Sequence, residues 1–234
     1  MTQMRTAAVI GANGLVGRAV ARELAAAGWN VVAVARDEAR LGRLAEANPG
    51  ITPLGGSVDG DAAAADVAAR VRAIAPSLDA VVTSVNLPPA DERLLDCSAE
   101  RLLEVLRGNI VTHHSAVRAF LPLLAPGGRY VGIGGGMADY TFAGFGPVSV
   151  CQAAQRNMFR FYAMETGGEP APIVELMVNS HIVDSDDEGE ANARDVRSGE
   201  VGAHVRAVIE QPDLFPGPIL VLKSRRQIGQ PERV

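Results

Sequence analysis

The feature that most constrains the fold of this chain is the alternation of continuous apolar runs with alanine-rich stretches of helical composition. Runs that are apolar at every position are typical of strands buried on both faces, and such strands form parallel sheets. Parallel strands need crossover connections, which the alanine-rich stretches can supply as helices. The pattern therefore predicts an α/β fold with a doubly wound parallel sheet of about seven strands and helices on both faces.

The predicted elements can be read directly from this alternation. We predict strands over residues 6–11, 30–35, 51–55, 78–84, 128–134, 172–178 and 218–223. We predict helices over residues 15–27, 37–47, 60–75, 98–124, 148–166 and 195–210. There is no internal repeat and no linker, so residues 1–234 are expected to form one domain. The acidic segment 180–195 has few large apolar residues and is expected to be a flexible lid.

Charge and hydropathy exclude several classes of partner. The net charge is −5 and the sequence pI is about 5.4, with no basic tail, so neither nucleic acid nor an anionic membrane is an expected partner. No apolar run approaches the roughly 20 residues needed to cross a bilayer. The N-terminal stretch has no cleavable signal pattern. These observations favour a cytoplasmic protein.

The residues that commonly bind metals give no recognisable pattern. Cys97 and Cys151 are the only cysteines and lie far apart, so neither a disulfide framework nor a cysteine-rich metal site is expected. The acidic residues of segment 184–190 lack the spacing of an EF-hand loop. We therefore predict no metal site.

A glycine-rich turn follows the first predicted strand and opens the first predicted helix. It reads VIGANGLVGRAV and places Gly11, Gly14 and Gly17 at the turn. Glycines there allow a tight turn, a close approach of backbone to a pyrophosphate, and close packing of helix on strand. The strand–turn–helix context predicts a Rossmann-type dinucleotide site that also includes Asn13, Leu15 and Val16. A tight turn without a ligand is the alternative.

The end of the second predicted strand bears on the choice between NAD(H) and NADP(H). NAD-binding folds usually place an acidic residue here for the ribose 2′-hydroxyl, whereas this chain has Arg36 after Ala35. A guanidinium can pair with a 2′-phosphate, so the cofactor predicted is NADP(H). The alternative for Arg36 is a solvated side chain at a helix start. Asp37 is interpreted as the N-cap of the second helix.

Four further segments carry a family resemblance over nearly the whole chain. They are LDAVVTSVN (78–86), RGNIVTHHSAVRAFLPLL (107–124), GGRYVGIGGG (127–136) and FPGPILVL (215–222), and with the glycine turn they resemble the short-chain dehydrogenase/reductase (SDR) family. The resemblance implies one NAD(P)-binding domain. It further implies cofactor contacts from Ser57, Val58, Ser84 and Val85, and places the family's structural and catalytic asparagine at Asn109.

The catalytic residues of that family are the part that this chain does not keep. Alignment on the flanking residues places the serine position at Gly135, the tyrosine position at Val148 and the lysine position at Gln152. No tyrosine in the chain is followed by a lysine four residues later, so the proton-transfer pair of the family is absent. Gln152 could hydrogen-bond the cofactor ribose but cannot supply the charge of a lysine.

Replacement chemistry has one main candidate pair. Tyr140 and Asp139 lie on the loop that borders the substrate pocket in the family, so either is a candidate general acid–base, with pocket lining as the alternative. Glycines at 134–136 are expected to widen that pocket for a bulky small-molecule substrate. His113, one helical turn after Asn109, and Cys151 are interpreted mainly as packing residues.

Three interpretations of function remain open at this level. The first is a divergent enzyme, either a reductase or a non-redox isomerase, cyclase or dehydratase, with NADP(H) as hydride source or as a structural part of the pocket. The second is a non-catalytic partner of an active SDR, and the third is a cofactor-responsive regulator. Helices 98–124 and 148–166 match those that pair subunits in the family, so a homodimer or tetramer is expected.

Overall fold

A seven-stranded parallel sheet forms the centre of the molecule. The computed structural model describes residues 4–87, 91–186, 192 and 195–231. Its strands are β1 (Thr6–Ile10), β2 (Asn30–Ala35), β3 (Ile51–Gly55), β4 (Leu78–Thr83), β5 (Leu124–Gly135), β6 (Ile173–Val178), β7 (Ile182–Val183), β8 (Val196–Arg197) and β9 (Ile219–Leu222). The large sheet has the order β3-β2-β1-β4-β5-β6-β9, and every neighbouring pair in it is parallel.

Helices cover both faces of this sheet. They are α1 (Leu15–Ala26), α2 (Glu38–Ala47), α3 (Asp61–Ile74), α4 (Ala99–Leu106), α5 (Thr112–Phe120), α6 (Gly146–Thr166) and α7 (Ser198–Glu210). Apolar residues of α1, α2 and α7 pack with one face of the sheet. Apolar residues of α3, α5 and α6 pack with the other face. The predicted doubly wound α/β fold is confirmed.

The packing of β1 explains why its residues from Ala7 to Ile10 are all apolar. Ala7 and Val9 belong to the core on the α1 and α7 face, whereas Ala8 and Ile10 belong to the core on the α3 and α5 face. All four are at most 2% exposed. Successive side chains of a strand point to opposite faces, so a strand covered on both faces favours apolar residues at successive positions.

The strand order fixes where a ligand can bind. The chain winds outward from β1 to β2 and β3, and then returns to β4 on the other side of β1. At such a switch point the two connecting loops diverge and leave a crevice at the carboxyl ends of the strands. The loops after β1 and β4, which carry the glycine turn and Ser84, therefore border one crevice.

The helix predicted over 98–124 is interrupted in the structure. A π-helical turn at Arg107–Val111 separates α4 from α5, and a 3-10 turn at Leu121–Leu123 follows α5. The Asn109 amide nitrogen donates to the Val105 carbonyl at 2.7 Å, and the Thr112 hydroxyl donates to the Gly108 carbonyl at 2.9 Å. Both side chains thus donate hydrogen bonds to backbone carbonyl groups within the helix, at the place where the α-helix widens into a π-helical turn.

Part of the predicted lid, 180–195, is tied to the body of the domain. Strands β7 and β8 pair as a small two-stranded sheet. Asp184 pairs with Arg18 of α1, and Asp186 pairs with Arg22 at 2.8 Å. Residues 187–191, 193 and 194 of the predicted lid lie outside the described residues. The flexibility of the segment stays a prediction.

Candidate cofactor and active site

The glycine turn meets the geometric requirements of a phosphate-binding turn. Gly11 has φ +87°, and a Cβ there would overlap the Ser84 carbonyl. A Cβ at Gly17 would overlap the Gly11 carbonyl, so α1 starts close to the end of β1. Gly14 is the N-cap of α1 and has no side chain to cap the first-turn amides. Those amides can donate hydrogen bonds to an anion, and the positive end of the helix dipole favours its negative charge.

The ends of β1 and β2 are connected by a small polar network. The Asn13 side chain donates to the Asp37 carbonyl at 2.8 Å, and the Arg40 guanidinium donates to the Asn13 carbonyl at 3.1 Å. Asp37 accepts from the Arg40 amide at 3.0 Å, which confirms Asp37 as the N-cap of α2. Sequence reasoning missed Arg40, which lies in the first turn of α2.

Arg36 is exposed at the end of β2. It forms no ion pair or hydrogen bond with any residue that the structure describes. Arg40 lies beside the glycine turn, where it donates to the Asn13 carbonyl, and neither Arg36 nor Arg40 forms an ion pair with a carboxylate of the described chain. A phosphate monoester is the group that such an arrangement suits best.

The other residues predicted to contact a cofactor divide into two groups. Val16 and Val58 have buried side chains, so only their backbones could contact a ligand. Ser57 and Ser84 are partly exposed at the ends of β3 and β4, and the Ser84 amide donates to the Ile10 carbonyl at 2.9 Å. The Val85 side chain borders Gly11. The fold thus brings these strand ends to one edge, as the sequence predicts.

Asn109 acts as a brace in this structure. It is 2% exposed, and its Oδ1 accepts from the Leu87 amide at 3.2 Å while its amide nitrogen donates to Val105. Gly108 lies against the Leu87 side chain, where a Cβ would overlap it. The π-helical turn and the loop after β4 are therefore held together. A catalytic role for Asn109 stays a prediction.

Gln152 fastens the loop after β5 to helix α6. Its Oε1 accepts from the Met137 amide at 2.9 Å, and its Nε2 lies over Gly135. Ser149 donates from its hydroxyl to the Met137 carbonyl at 2.6 Å. The carbonyl end of Gln152 is therefore occupied within the protein, and only Nε2 remains for a ribose.

The expectation that glycines 134–136 widen the pocket is wrong. A Cβ at Gly134 would overlap the Glu175 carboxyl group, and one at Gly135 would overlap the Gln152 amide. At Gly136 it would lie 2.9 Å from Asn179 Oδ1. The missing side chains leave no empty space, because polar side chains from α6 and β6 fill it.

Glu175 is the polar residue that sequence reasoning missed. It lies on β6, is 1% exposed, and neither of its carboxylate oxygens has a hydrogen-bond partner among the described residues. Burial raises the pKa of Glu175 to about 8, and the positive charges of Arg156 and Arg160 oppose that rise. The carboxyl group is therefore mostly protonated at neutral pH. Its sequence signal was one acid within the apolar run PIVELMV.

The predicted acid–base pair lies on the loop after β5. A 3-10 turn at Gly136–Ala138 leads into it, and Asp139 forms an ion pair with Arg156 of α6. Tyr140 is 53% exposed, with its ring 6.5 Å from that of Phe142. No hydrogen bond of the described chain connects either residue to Asn109. Their role in proton transfer stays a prediction.

His113 and Cys151 lie in the core. Burial lowers the pKa of His113 to about 4, and its ring meets Phe159 edge-on at 6.3 Å. Burial raises the pKa of Cys151 to about 11, and its thiol lies 3.7 Å from the Val105 carbonyl. A residue packed in an apolar core has to be uncharged. The neutral imidazole of His113 and the protonated thiol of Cys151 meet that requirement.

Two negative findings apply to the part of the chain that is described. None of its helices is long and apolar enough to span a bilayer. Within the same residues no three side chains of His, Cys, Asp or Glu come together in a way that could hold a metal ion.

The chain is similar to one protein family and to several solved structures. A protein-family model described as enoyl-(acyl carrier protein) reductase matches residues 11–173. A comparison with curated protein sequences finds no match.

Several solved structures share the fold. One is an alcohol dehydrogenase from the archaeon Thermococcus sibiricus complexed with 5-hydroxy-NADP, at 21% identity and TM-score 0.82, covering 99% of this chain and 100% of that one. Another is a short-chain dehydrogenase/reductase from Serratia marcescens, at 19% identity and TM-score 0.81, covering 93% and 96%. A third is YwfH, an NADPH-dependent reductase involved in bacilysin biosynthesis, at 19% identity and TM-score 0.76, covering 94% and 99%.

Proposed function

Because the chain belongs to the short-chain dehydrogenase/reductase family, we propose that it is an NADP(H)-binding enzyme that acts on a small-molecule metabolite without the family's tyrosine–lysine pair. The observation that carries the proposal is the glycine turn at the switch point, with exposed Arg36 at the end of the adjacent strand. Backbone amides would bind the pyrophosphate, and the guanidinium would bind the 2′-phosphate.

Two solved relatives support the choice of NADP(H). The Thermococcus protein was crystallised with 5-hydroxy-NADP, and YwfH is described as NADPH-dependent. Arg40 supports the same choice in this chain, because it adds a second positive charge beside the glycine turn, where it donates to the Asn13 carbonyl. Bound NADPH would supply a hydride. In a non-redox version of the enzyme the cofactor would complete the pocket wall.

Proton transfer is assigned to Tyr140 with Asp139 beside it. The Tyr140 hydroxyl is on an exposed side chain at the carboxyl edge of the sheet, where substrates meet the loops of this fold. Arg156 pairs with Asp139 and so holds the loop in place from α6. Since side chains fill the space beside glycines 134–136, the proposal does not require a bulky substrate.

A second candidate is a subunit role, and one observation favours it. Helices α4 and α6 present large apolar side chains to solvent, with Leu103 66% exposed and Met164 68% exposed. Such a surface favours pairing of these helices with another subunit. We propose a homodimer or tetramer, and an active SDR as partner is the alternative if no turnover is found.

The first test compares two glycine-to-alanine variants, one in the glycine turn and one on α2. Gly17→Ala puts a Cβ into the Gly11 carbonyl, whereas Gly42→Ala, on α2, meets nothing within 4 Å. Calorimetric titration with NADPH should show binding to the wild type and to Gly42→Ala, and a loss of more than about tenfold in affinity for Gly17→Ala. Circular dichroism melts would confirm that both variants are folded. Equal affinities in all three proteins would refute the proposed site.

A further inference from the structure

A carboxyl group is buried between the sheet and α6, near the end of β5. Glu175 of β6 is 1% exposed, and neither of its carboxylate oxygens has a hydrogen-bond partner among the described residues. A Cβ at Gly134 would overlap its Oε1, so the carboxyl group occupies the place that a side chain at position 134 would fill. A buried acid without a direct partner is costly, so the charges around it decide whether it ionises.

Helix α6 passes directly over this carboxyl group. Gln155 donates from its Nε2 to the Ile133 carbonyl at 2.9 Å. One helical turn later, the Phe159 ring fills the place of a side chain at Gly132, which is the partner of Glu175 in the sheet register. The carboxyl group therefore lies beneath the turn of α6 between these two contacts.

Three charged side chains of the described chain act on Glu175. Burial raises its pKa to about 8, and the positive charges of Arg156 and Arg160, one turn apart on α6, oppose that rise. The negative charge of Asp139, on the loop after β5, adds to it. On its other side Glu175 has the apolar Ile219 of β9 as its partner in the sheet register. The acid can therefore change its charge at neutral to mildly alkaline pH.

Arg156 is the cation that Glu175 shares with the loop after β5. Its Nη1 donates to Asp139 Oδ1 in an ion pair, and its Nη2 donates to the Ala138 carbonyl at 3.3 Å. Arg160 is exposed and forms no ion pair with a carboxylate of the described residues. A guanidinium has five N–H donors, so one arginine can interact with two acids. Of the two arginines, Arg156 is therefore the one that connects the buried acid to the loop.

From this arrangement we infer that Glu175 is a positioning residue for the loop that carries Asp139 and Tyr140, and that it acts through Arg156. While Glu175 is protonated, Asp139 alone neutralises the guanidinium, and the loop is held against α6. When Glu175 releases its proton to solvent, two carboxylates share one guanidinium, which weakens the hold on Asp139. The inference rests on the proposed function, since the loop is there assigned the proton transfer.

The coupling between the two acids acts in both directions. Removing the positive charge of Arg156 should raise the pKa of Glu175, because the ionised carboxylate loses a favourable neighbour. Removing the negative charge of Asp139 should lower the pKa of Glu175, because a like charge is lost and Arg156 is freed. A side chain that only fills the space beside Gly134 would not change the loop when it titrates.

The test is a pH titration of the ¹³C,¹⁵N-labelled protein by NMR between about pH 5.5 and about pH 9. It follows the carboxyl carbon of Glu175 and the amide signals of residues 138–141. In the wild type both should change with one midpoint near pH 8. In Glu175→Gln the step in the loop signals should disappear. In Arg156→Gln it should also disappear, while the Glu175 midpoint rises.

Arg160→Gln is the matched control, because it removes the same charge from the next turn of α6 without touching the loop. It should raise the Glu175 midpoint by about 0.5 pH unit or more and keep the loop step at the new midpoint. Dispersed amide spectra would confirm that each variant is folded. If Arg156→Gln does not fold, Glu175→Gln decides the question.

The outcomes separate this inference from the proposed function. A wild-type loop without a step at the Glu175 midpoint would overturn the inference, as would a step that persists in Glu175→Gln or in a folded Arg156→Gln. NADPH is then titrated by calorimetry into the wild type. A loop step without NADPH binding would support the role of Glu175 and contradict the cofactor proposal, whereas NADPH binding without a loop step would overturn this inference alone.

Discussion

Replacing the buried acid of β6 is predicted to stabilise the protein at neutral and alkaline pH. Glu175 is 1% exposed and its carboxylate oxygens have no hydrogen-bond partner among the described residues. Glu175→Gln keeps the size of the side chain and removes the ionisable group. A buried neutral amide avoids the cost of burying a carboxylate, which is large when the charge is unpaired.

The magnitude follows from the pKa of Glu175, which burial raises from 4.5 to about 8. The native state then holds a proton that the unfolded state has already released, so stability falls as pH rises from about 4.5 to about 8. Each pKa unit corresponds to about 1.4 kcal/mol, which gives a cost of about 3 kcal/mol at pH 7, about 4 kcal/mol at pH 8 and about 5 kcal/mol from about pH 9 upward. These costs should be absent in Glu175→Gln.

Urea unfolding between pH 5 and pH 9 would measure this difference. The wild type and Glu175→Gln should have similar free energies of unfolding at pH 5 and diverge progressively up to about pH 8. Glu46→Gln, at an exposed position of α2, is the matched control. Its curve should run parallel to that of the wild type. A constant difference between Glu175→Gln and the wild type at all pH values would refute the reasoning.

Three further predictions concern the core and the site. Burial lowers the pKa of His113 and of His204 to about 4, so stability should fall as pH drops below about 6.5, by up to about 3 kcal/mol for each histidine by pH 4, as measured by urea unfolding. With Glu175 acting in the opposite direction, the stability maximum should lie near pH 6.5; a maximum above about pH 8 would contradict the raised pKa of Glu175, and one below about pH 5 would contradict the lowered pKa values of the histidines. Gly135→Ser should destabilise the wild type by about 1–3 kcal/mol, because Gln152 fills the space. The same change should cost much less in Gln152→Ala, and additive effects in this double-mutant cycle would show that the two side chains do not compete. Asp139→Asn should lower any turnover by loosening the Tyr140 loop, with NADPH affinity unchanged, whereas Asp66→Asn, at an exposed position of α3, should not.

The sequence predicted the fold well because burial of a strand on both faces leaves a local pattern. β1 is apolar from Ala7 to Ile10, since these residues pack alternately against two layers of helices. The glycine turn was predictable for a similar reason, because the close approach of Gly17 to the Gly11 carbonyl lies within one strand–turn–helix unit. Asp37 as an N-cap is likewise a local feature.

The filled space beside β5 could not be predicted, because it depends on contacts between distant segments. A glycine in a sequence can leave a gap or make room for a neighbour, and at Gly134 that neighbour is Glu175 from β6. The interruption of the long helix also depends on a distant contact, the bond from the Leu87 amide to Asn109. Nothing in the sequence near Asn109 specifies that partner.

The most direct test of the central claim is a thermodynamic cycle between Arg36 and the 2′-phosphate of the cofactor. Calorimetric affinities for NADPH and NADH are measured on the wild type and on Arg36→Ala, with Arg43→Ala, another exposed arginine, as control. A charge-assisted contact is worth about 1.5–3 kcal/mol, so Arg36→Ala should weaken NADPH binding by roughly 10- to 150-fold and leave NADH binding nearly unchanged. Equal losses for both cofactors, or no binding of NADPH to the wild type, would contradict the account.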